Sequence, residues 1–174
     1  SIALFTLFVE NVSLFSQFYI IMHMNRNKAV MKDCAQQVQY TRNEEMLHAQ
    51  VGIKLIQTLR EEYPELFDEE LEERIKHECI ESLKAESKVI EWIMDGHTAD
   101  GLSADILKSF IAKRMSDSMD SIGIDSSEIV YDDDHIKETF WFDEELFGAN
   151  MTDFFQKRPV EYAKGKGISA DDLF

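Results

Sequence analysis

Residues that interrupt helices are scarce in this sequence, which has two prolines and seven glycines among 174 residues. Runs that alternate apolar and polar residues, as half-buried β-strands do, are also missing. Long helices are therefore the expected secondary structure. Only two cysteines occur, Cys34 and Cys79, and their spacing matches neither a CxxC motif nor a zinc site. We expect two reduced thiols in a cytoplasmic protein.

Positive charge is scarce as well, because 18 basic residues stand against 34 acidic ones and the formal net charge is −16. A field of this sign repels the phosphates of nucleic acids and the surfaces of anionic membranes. The composition therefore predicts that the protein binds neither nucleic acid nor a membrane.

The longest apolar segment covers residues 2–24, where 16 of 23 positions are apolar. Its length would be enough to span a bilayer. However, Glu10 stands near the middle of the segment, and a carboxylate at that depth is costly in lipid. A helix that is apolar on nearly all sides is otherwise found at the centre of a bundle. We predict a buried core helix.

Three further helices are predicted from the helical spacing of apolar residues and from signals at their ends. Tyr63-Pro64 should end the first of them, because proline disfavours helix in the residue before it. Asp68 is the expected N-cap of the next helix, Gly96 its expected stop, and Ser103 the expected N-cap of the last. The predicted ranges are 33–61, 67–95 and 103–121.

The remaining C-terminal residues show weaker patterns. Residues 122–136 are polar and aperiodic and are predicted to form a loop. A short helix or loop carrying Phe140, Trp141 and Phe142 should follow. The predicted organisation is one domain over residues 1–155 and a flexible tail over residues 156–174.

The sharpest chemical signal is Glu45-Met46-Leu47-His48, because a Glu and a His three residues apart share one helix face and can bind one metal ion. Such a pair also occurs by chance on protein surfaces. Glu10 precedes Glu45 by 35 residues, about the distance along one helix and back along its antiparallel neighbour. A buried carboxylate there needs a cation, a hydrogen-bond partner or a proton. The sequence leaves these three possibilities open.

These residues amount to half of a dinuclear carboxylate site, which takes one Glu from each of two helices and a Glu-x-x-His from each of two others. Elsewhere only Asp132 and His135 have the carboxylate-x-x-His spacing, and they lie in the polar stretch predicted as a solvated loop. The chain also begins directly in apolar sequence without an initiator Met. We expect that upstream residues are missing and that they carry the remaining ligands.

In this order, the motifs resemble the second half of the ribonucleotide reductase small subunit family, over essentially the whole chain. Phe8-Val9-Glu10 is similar to the family's third carboxylate helix. Arg42-Asn43-Glu44-Glu45-Met46-Leu47-His48 is similar to its Arg-Asp-Glu-x-x-His block, and Arg114 with Ile122-Gly123 is similar to a later helix. Residues 152–162 and the terminal Asp171-Asp172-Leu173-Phe174 resemble the start and the end of the family's tail.

The resemblance implies a role for each matching residue. Glu10, Glu45 and His48 would be metal ligands. Glu44 would be the acid beside a ligand that helps to relay the radical, although the family has Asp at this position. Tyr162 would pass the radical between subunits, and residues 168–174 would dock on the large subunit.

By resemblance, the fold is all-α, the second half of a ferritin-like helical bundle with a flexible C-terminal tail. The implied function is that of the radical-generating small subunit of ribonucleoside-diphosphate reductase, with a dinuclear Fe/Fe, Mn/Fe or Mn/Mn centre. The large subunit would be its partner, and the full-length protein would be a homodimer. Two alternatives are another ferritin-like di-iron oxygenase or oxidase, and a helical interaction module without enzymatic activity.

Overall fold

The computed structural model describes the backbone of residues 2–150 and the side chains of residues 3–144. Over this range it contains helices and no β-strand, apart from an isolated bridge between Ala99 and Leu102. The all-α prediction is therefore confirmed. The elements are α1 (Ile2–Leu4), a π-helical segment (Phe5–Ser13), α2 (Phe15–Lys28), α3 (Lys32–Glu62), a 3₁₀ turn (Pro64–Leu66), α4 (Glu69–Met94), α5 (Ala104–Ser121) and α6 (Asp133–Asn150).

The apolar N-terminal segment lies at the centre of the fold, as predicted. The π segment and α2 both pack against α3. Helix α5 also packs against the π segment and against α2. Phe5–Lys28 is long and apolar enough to cross a membrane by length and composition alone. However, Leu7, Val12, Phe15 and Tyr19 are completely buried among the other helices. This is the environment of a core helix.

The predicted helix ends are also confirmed. Asp68 caps α4 by accepting a hydrogen bond from the Leu71 N–H at 2.8 Å, and Ser103 caps α5 by accepting from the Ile106 N–H at 3.2 Å. The chain leaves α4 through Asp95, whose φ of 44° is left-handed, and Gly96, whose φ is 76°. Glycine adopts such a φ without the steric cost that a side chain brings.

The polar loop predicted over residues 122–136 is wrong at its C-terminal end, where α6 begins. The Asp132 carboxylate accepts hydrogen bonds from the N–H groups of Asp134 and His135 at 2.8 and 3.3 Å. This side chain therefore caps a helix of 18 residues instead of standing free in a solvated loop. Residues Ser1–Phe142 form one compact unit, and residues 156–174, predicted to be a tail, lie outside the described residues.

A glycine sets the closest approach between α3 and the π segment. A Cβ atom placed on Gly52 would lie 2.9 Å from the Thr6 Cβ and still closer to the other two atoms of that side chain. Thr6 is itself buried, so its side chain has little room to turn away. Gly52 stands four residues after His48 on the same helix. The absence of a side chain at Gly52 therefore sets the spacing between the two helices that carry the candidate ligands.

We predict that Gly52→Ala destabilises the chain by about 1–3 kcal/mol, the usual cost of overpacking a core. In an exposed helix the same substitution stabilises by roughly 0.8–1 kcal/mol, so the sign separates the two effects. The free energy of unfolding, measured by chemical denaturation, tests this. Combining it with Thr6→Ala should recover part of the loss, because that change removes two of the crowded atoms. A Gly52→Ala chain as stable as the unsubstituted one would contradict the prediction.

Candidate metal centre

The candidate ligands lie on two neighbouring helical segments. Glu10 belongs to the π segment, and both Glu45 and His48 belong to α3. Only residues 29–31 connect α2 to α3, so the chain reverses at once and α3 returns alongside the first helix. Such short connections join antiparallel neighbours in helical bundles. This reversal is what brings positions 35 residues apart in the sequence face to face.

The three side chains predicted as ligands meet at one place. One ligand atom from each of Glu10, Glu45 and His48 lies within 4.8 Å of those of the other two. The His48 Nδ1 is 3.3 Å from the Glu10 Oε2 and 3.4 Å from the Glu45 Oε2. The two carboxylates are mostly buried, with 13% and 19% of their side chains exposed, whereas 60% of the His48 side chain is exposed. The cluster is therefore closed on the side of the helices and open at the imidazole.

The carboxylates of Glu10 and Glu45 lie close enough to disfavour each other's ionised form. The pKa of Glu10 is raised, first by its hydrogen bond to the Glu45 carboxyl, then by burial and by repulsion from that group, while His48 acts in the opposite direction. The pKa of His48 is raised above 6.5, mainly by its hydrogen bond to Glu45. The buried Oε2 of Glu10 faces the His48 Nδ1 at 3.3 Å but makes no hydrogen bond of good geometry. A cation at this place would satisfy that oxygen and relieve the repulsion.

The donor set fits a transition metal. Two carboxylates and one imidazole are the donors that iron and manganese centres use. Within the described range, no other group of three or more His, Cys, Asp or Glu side chains converges in this way. The structure thus brings Glu10, Glu45 and His48 together, and their role as ligands stays a prediction.

The other predicted site residues are placed apart from the cluster or lie outside the described range. Glu44 precedes Glu45 on α3, and its side chain is exposed to solvent. Asp132 caps α6, and its N–H partners lower its pKa. His135 lies with its Nδ1 3.2 Å from the Ser109 hydroxyl, away from the cluster. Tyr162 lies outside the described residues.

Arg42 holds the ligand helix in place, a role that the sequence did not reveal. Its side chain is completely buried, and its Nη1 donates to the Phe142 carbonyl oxygen at 2.9 Å. The guanidinium carbon also lies 4.6 Å from the centre of the Phe142 ring. Arg42 stands one helical turn before Glu45, so this contact anchors α3 beside the cluster. The sequence offered one signal for this role, which is the presence of a charged residue one helical turn before the Glu-x-x-His motif.

Two further features were missed. One is the π-helical geometry of Phe5–Ser13, and the other is Glu86 of α4, which is 5% exposed and accepts hydrogen bonds from Ser13, Ser16 and Gln17. A π turn inside a helix is frequently found at a functional site. Neither feature has a sequence signature, because apolar periodicity does not distinguish a π turn from an α turn.

We predict that Glu10→Gln stabilises the metal-free chain at pH 7, because it removes one of two neighbouring carboxylates whose repulsion, with burial, raises the pKa of Glu10. The raised pKa of Glu10 means that its protonated form favours the folded state. The stability of the unsubstituted chain should therefore fall as the pH rises from about 4.5, and the raised pKa of His48 acts in the same direction above about 6.5.

Denaturation curves recorded between pH 4.5 and 8 in the presence of a chelator test this prediction. The variant should lose the part of the pH dependence that Glu10 causes. Glu44→Gln is the matched control, because this exposed neighbour should change neither the stability nor its pH dependence. Equal stabilities of the Glu10→Gln and unsubstituted chains at pH 7 would show that the carboxylates do not compete.

The sequence of this chain is similar to those of known proteins. Residues 1–128 match the model of the family described as "Ribonucleotide reductase, small chain". The chain is 27% identical over 164 residues to the probable ribonucleoside-diphosphate reductase small subunit 048L of Invertebrate iridescent virus 3, a match covering 94% of this chain and 42% of that protein. It is 26% identical over 164 residues to the ribonucleoside-diphosphate reductase subunit beta of Chlamydia pneumoniae, a match covering 92% of this chain and 44% of that protein.

The chain therefore spans less than half the length of these two relatives. The family match nevertheless extends over the π segment, α2, α3, α4 and α5, and so includes all three residues of the cluster. On this match the chain belongs to the ribonucleotide reductase small-chain family.

Proposed function

We propose that this chain is part of the radical-generating small subunit of a ribonucleoside-diphosphate reductase. Such a subunit supplies the oxidising equivalent with which a large subunit reduces ribonucleotides to deoxyribonucleotides. The observation that carries the proposal is the convergence of Glu10, Glu45 and His48 within 4.8 Å in a chain of this family. The family implies a dinuclear metal centre, and this cluster is its candidate ligand group.

In this proposal the cluster holds the metal through the two carboxylates and the imidazole. The bound centre, which we expect to be Fe/Fe, with Mn/Fe and Mn/Mn as alternatives, supplies the oxygen and redox chemistry. The carboxylates provide the negative charge that retains the cations, and the helices that carry them limit the access of water from their side of the cluster. His48 must lose its proton to bind, so metal binding releases protons and becomes tighter as the pH rises.

The described residues supply half of a dinuclear ligand set, and the open side of the cluster indicates where the rest belongs. The exposed flank of α3 beside His48 carries the large apolar residues Tyr40, Leu47 and Val51, which are 54%, 60% and 63% exposed. An apolar flank of this kind is suited to being covered by further helices. We propose that an upstream segment of the full-length protein covers it and adds a carboxylate and a second carboxylate-x-x-His.

Transfer of the oxidising equivalent would use residues toward the surface and the C-terminus. Glu44 lies next to the ligand Glu45 in sequence and is exposed, so it can be reached by groups outside the cluster. Tyr162 is proposed as the tail residue that passes the radical to the large subunit. Residues 168–174 combine acidic and apolar side chains, a composition suited to a peptide that becomes ordered when it binds a partner.

We predict that the full-length protein contains iron or manganese and that Glu10→Ala lowers its metal content at least tenfold, because a ligand and its charge are lost. Elemental analysis after reconstitution measures this. Glu44→Gln is the control and should retain the metal, because it changes an exposed acid of α3 that is not one of the three candidate ligands. The proposal is wrong if the unsubstituted protein takes up neither metal, or if Glu10→Ala keeps the full content.

We predict a different result for the tail tyrosine. Tyr162→Phe should leave the metal content unchanged and reduce deoxyribonucleotide formation with the large subunit by at least 100-fold, because phenylalanine cannot lose a proton and an electron together at an O–H group. The assay uses the reconstituted two-subunit enzyme. Tyr63→Phe, a change of the same kind at an exposed position, is the control. Retained activity in Tyr162→Phe would remove the tail from the proposed radical path.

A further inference from the structure

The helix that carries Glu10 changes its winding at a defined point. The π segment ends at Ser13, Leu14 stands between the two elements, and the α-helical α2 begins at Phe15. We call residues 11–17 the junction. Each residue turns an α-helix by about 100° and a π-helix by less, because π hydrogen bonds reach one residue further, so the winding of the residues between Glu10 and Phe15 sets the direction of Glu10 relative to α2. The direction of the Glu10 side chain therefore depends on where the change of winding occurs.

Arg114 of α5 holds the junction from one side. Its Nε donates to the Asn11 carbonyl oxygen at 2.8 Å, and its Nη2 donates to the Asn11 Oδ1 at 2.7 Å. The guanidinium also stacks on the Phe15 ring at 3.7 Å from its centre. Asn11 donates through its Nδ2 to the Ser118 hydroxyl, which in turn donates to the Arg114 carbonyl oxygen at 2.8 Å. Both the backbone and the side chain of the residue next to Glu10 are thus fixed.

Glu86 of α4 holds the junction from a second side. Its Oε1 accepts hydrogen bonds from the Ser16 hydroxyl at 2.8 Å and from the Gln17 amide nitrogen at 2.9 Å, and its Oε2 accepts from the Ser13 hydroxyl at 3.4 Å. The carboxylate is 5% exposed, and Ser16 is completely buried. A buried acid is costly unless its oxygens are satisfied. Here the partners are residues on both sides of Leu14.

Both anchors span the point where the winding changes. Glu86 contacts the last residue of the π segment and the first turn of α2, so its hydrogen bonds restrain the rotation of one relative to the other. Arg114 contacts Asn11 within the π segment and Phe15 at the start of α2, so it restrains the same rotation independently of Glu86. If the π segment relaxed to an α-helix, Asn11 and Ser13 would turn away from these partners. The anchors therefore select the winding that points Glu10 at Glu45 and His48.

We propose that Arg114 and Glu86 are positioning residues for the metal centre, which act by locking the junction so that Glu10 faces the two ligands on α3. This inference rests on the proposed function, because it assigns the two residues a role toward the same centre. The contacts described above join both residues to the junction. Their effect reaches Glu10 through the backbone of the π segment.

Binding of Co²⁺ by the full-length protein tests the proposal, with the visible absorption of the ion as the readout. The test variants are Arg114→Lys, which loses the fork of donors, Glu86→Gln, which loses the charge, and Ser16→Ala, which removes a single hydrogen bond to Glu86. We expect the Kd for Co²⁺ to rise roughly tenfold or more in the first two, the usual effect of losing a group that orients a ligand, and less in the third.

Matched controls separate positioning from general stability. Arg74→Lys and Glu78→Gln make the same chemical changes at exposed positions of α4 and should leave the Kd unchanged. Ile124→Val lowers the stability at a buried position away from the junction and should also leave the Kd unchanged. Amide hydrogen exchange should be faster over residues 10–18 in the test variants alone.

Each outcome decides one question. A Kd within twofold of the unsubstituted value in Arg114→Lys and Glu86→Gln overturns the inference and leaves the proposed function intact. A Kd that rises as much in Ile124→Val as in the test variants also overturns it, because loss of stability then explains the effect. If the unsubstituted full-length protein binds no Co²⁺, the proposed function fails together with the inference. If one test variant does not fold, the other two give the answer.

Discussion

Two carboxylates placed side by side in a half-buried position are the constraint on which the rest of the structure depends. Glu10 and Glu45 repel each other as anions, and this repulsion helps to raise the pKa of Glu10. A protein without a use for such a pair would gain stability by replacing one member. The surrounding contacts instead keep the pair together. Gly52 allows the helices to approach, and Arg42 anchors α3 beside the cluster.

Most of the helices could be predicted from the sequence because their signals are local. Asp68 and Ser103 are hydrogen-bond acceptors at the start of apolar repeats, and proline after Tyr63 prevents α3 from continuing. The start of α6 was missed because three aspartates in a row read as solvated loop, whereas Asp132 serves as the cap. The apolar side of this helix, where Ile136 and Phe142 are buried, begins four residues beyond the cap.

The three residues of the candidate site could be predicted from the sequence. The residues that hold them in place could be predicted only in part. Glu10 was informative because a carboxylate in an apolar helix needs a partner, and Glu45 with His48 supplied a motif with a fixed spacing. Glu86 was not informative, because it is one of several glutamates on α4 and its burial follows from how α4 packs against the first helix. The π winding depends in the same way on contacts from distant helices. Long-range packing of this kind leaves no mark on local periodicity.

The apolar flank of α3 also affects how the chain behaves in solution. Copies that each carry a net charge of −16 repel one another at low ionic strength, which keeps the flanks of neighbouring copies apart. Added salt shortens the range of that repulsion to roughly 8–10 Å at 0.10–0.15 M, and it does not weaken the hydrophobic attraction between Leu47 or Val51 of one copy and those of another. Concentrated samples should therefore stay dispersed in dilute buffer and begin to associate as salt is added, the reverse of what electrostatic association would give.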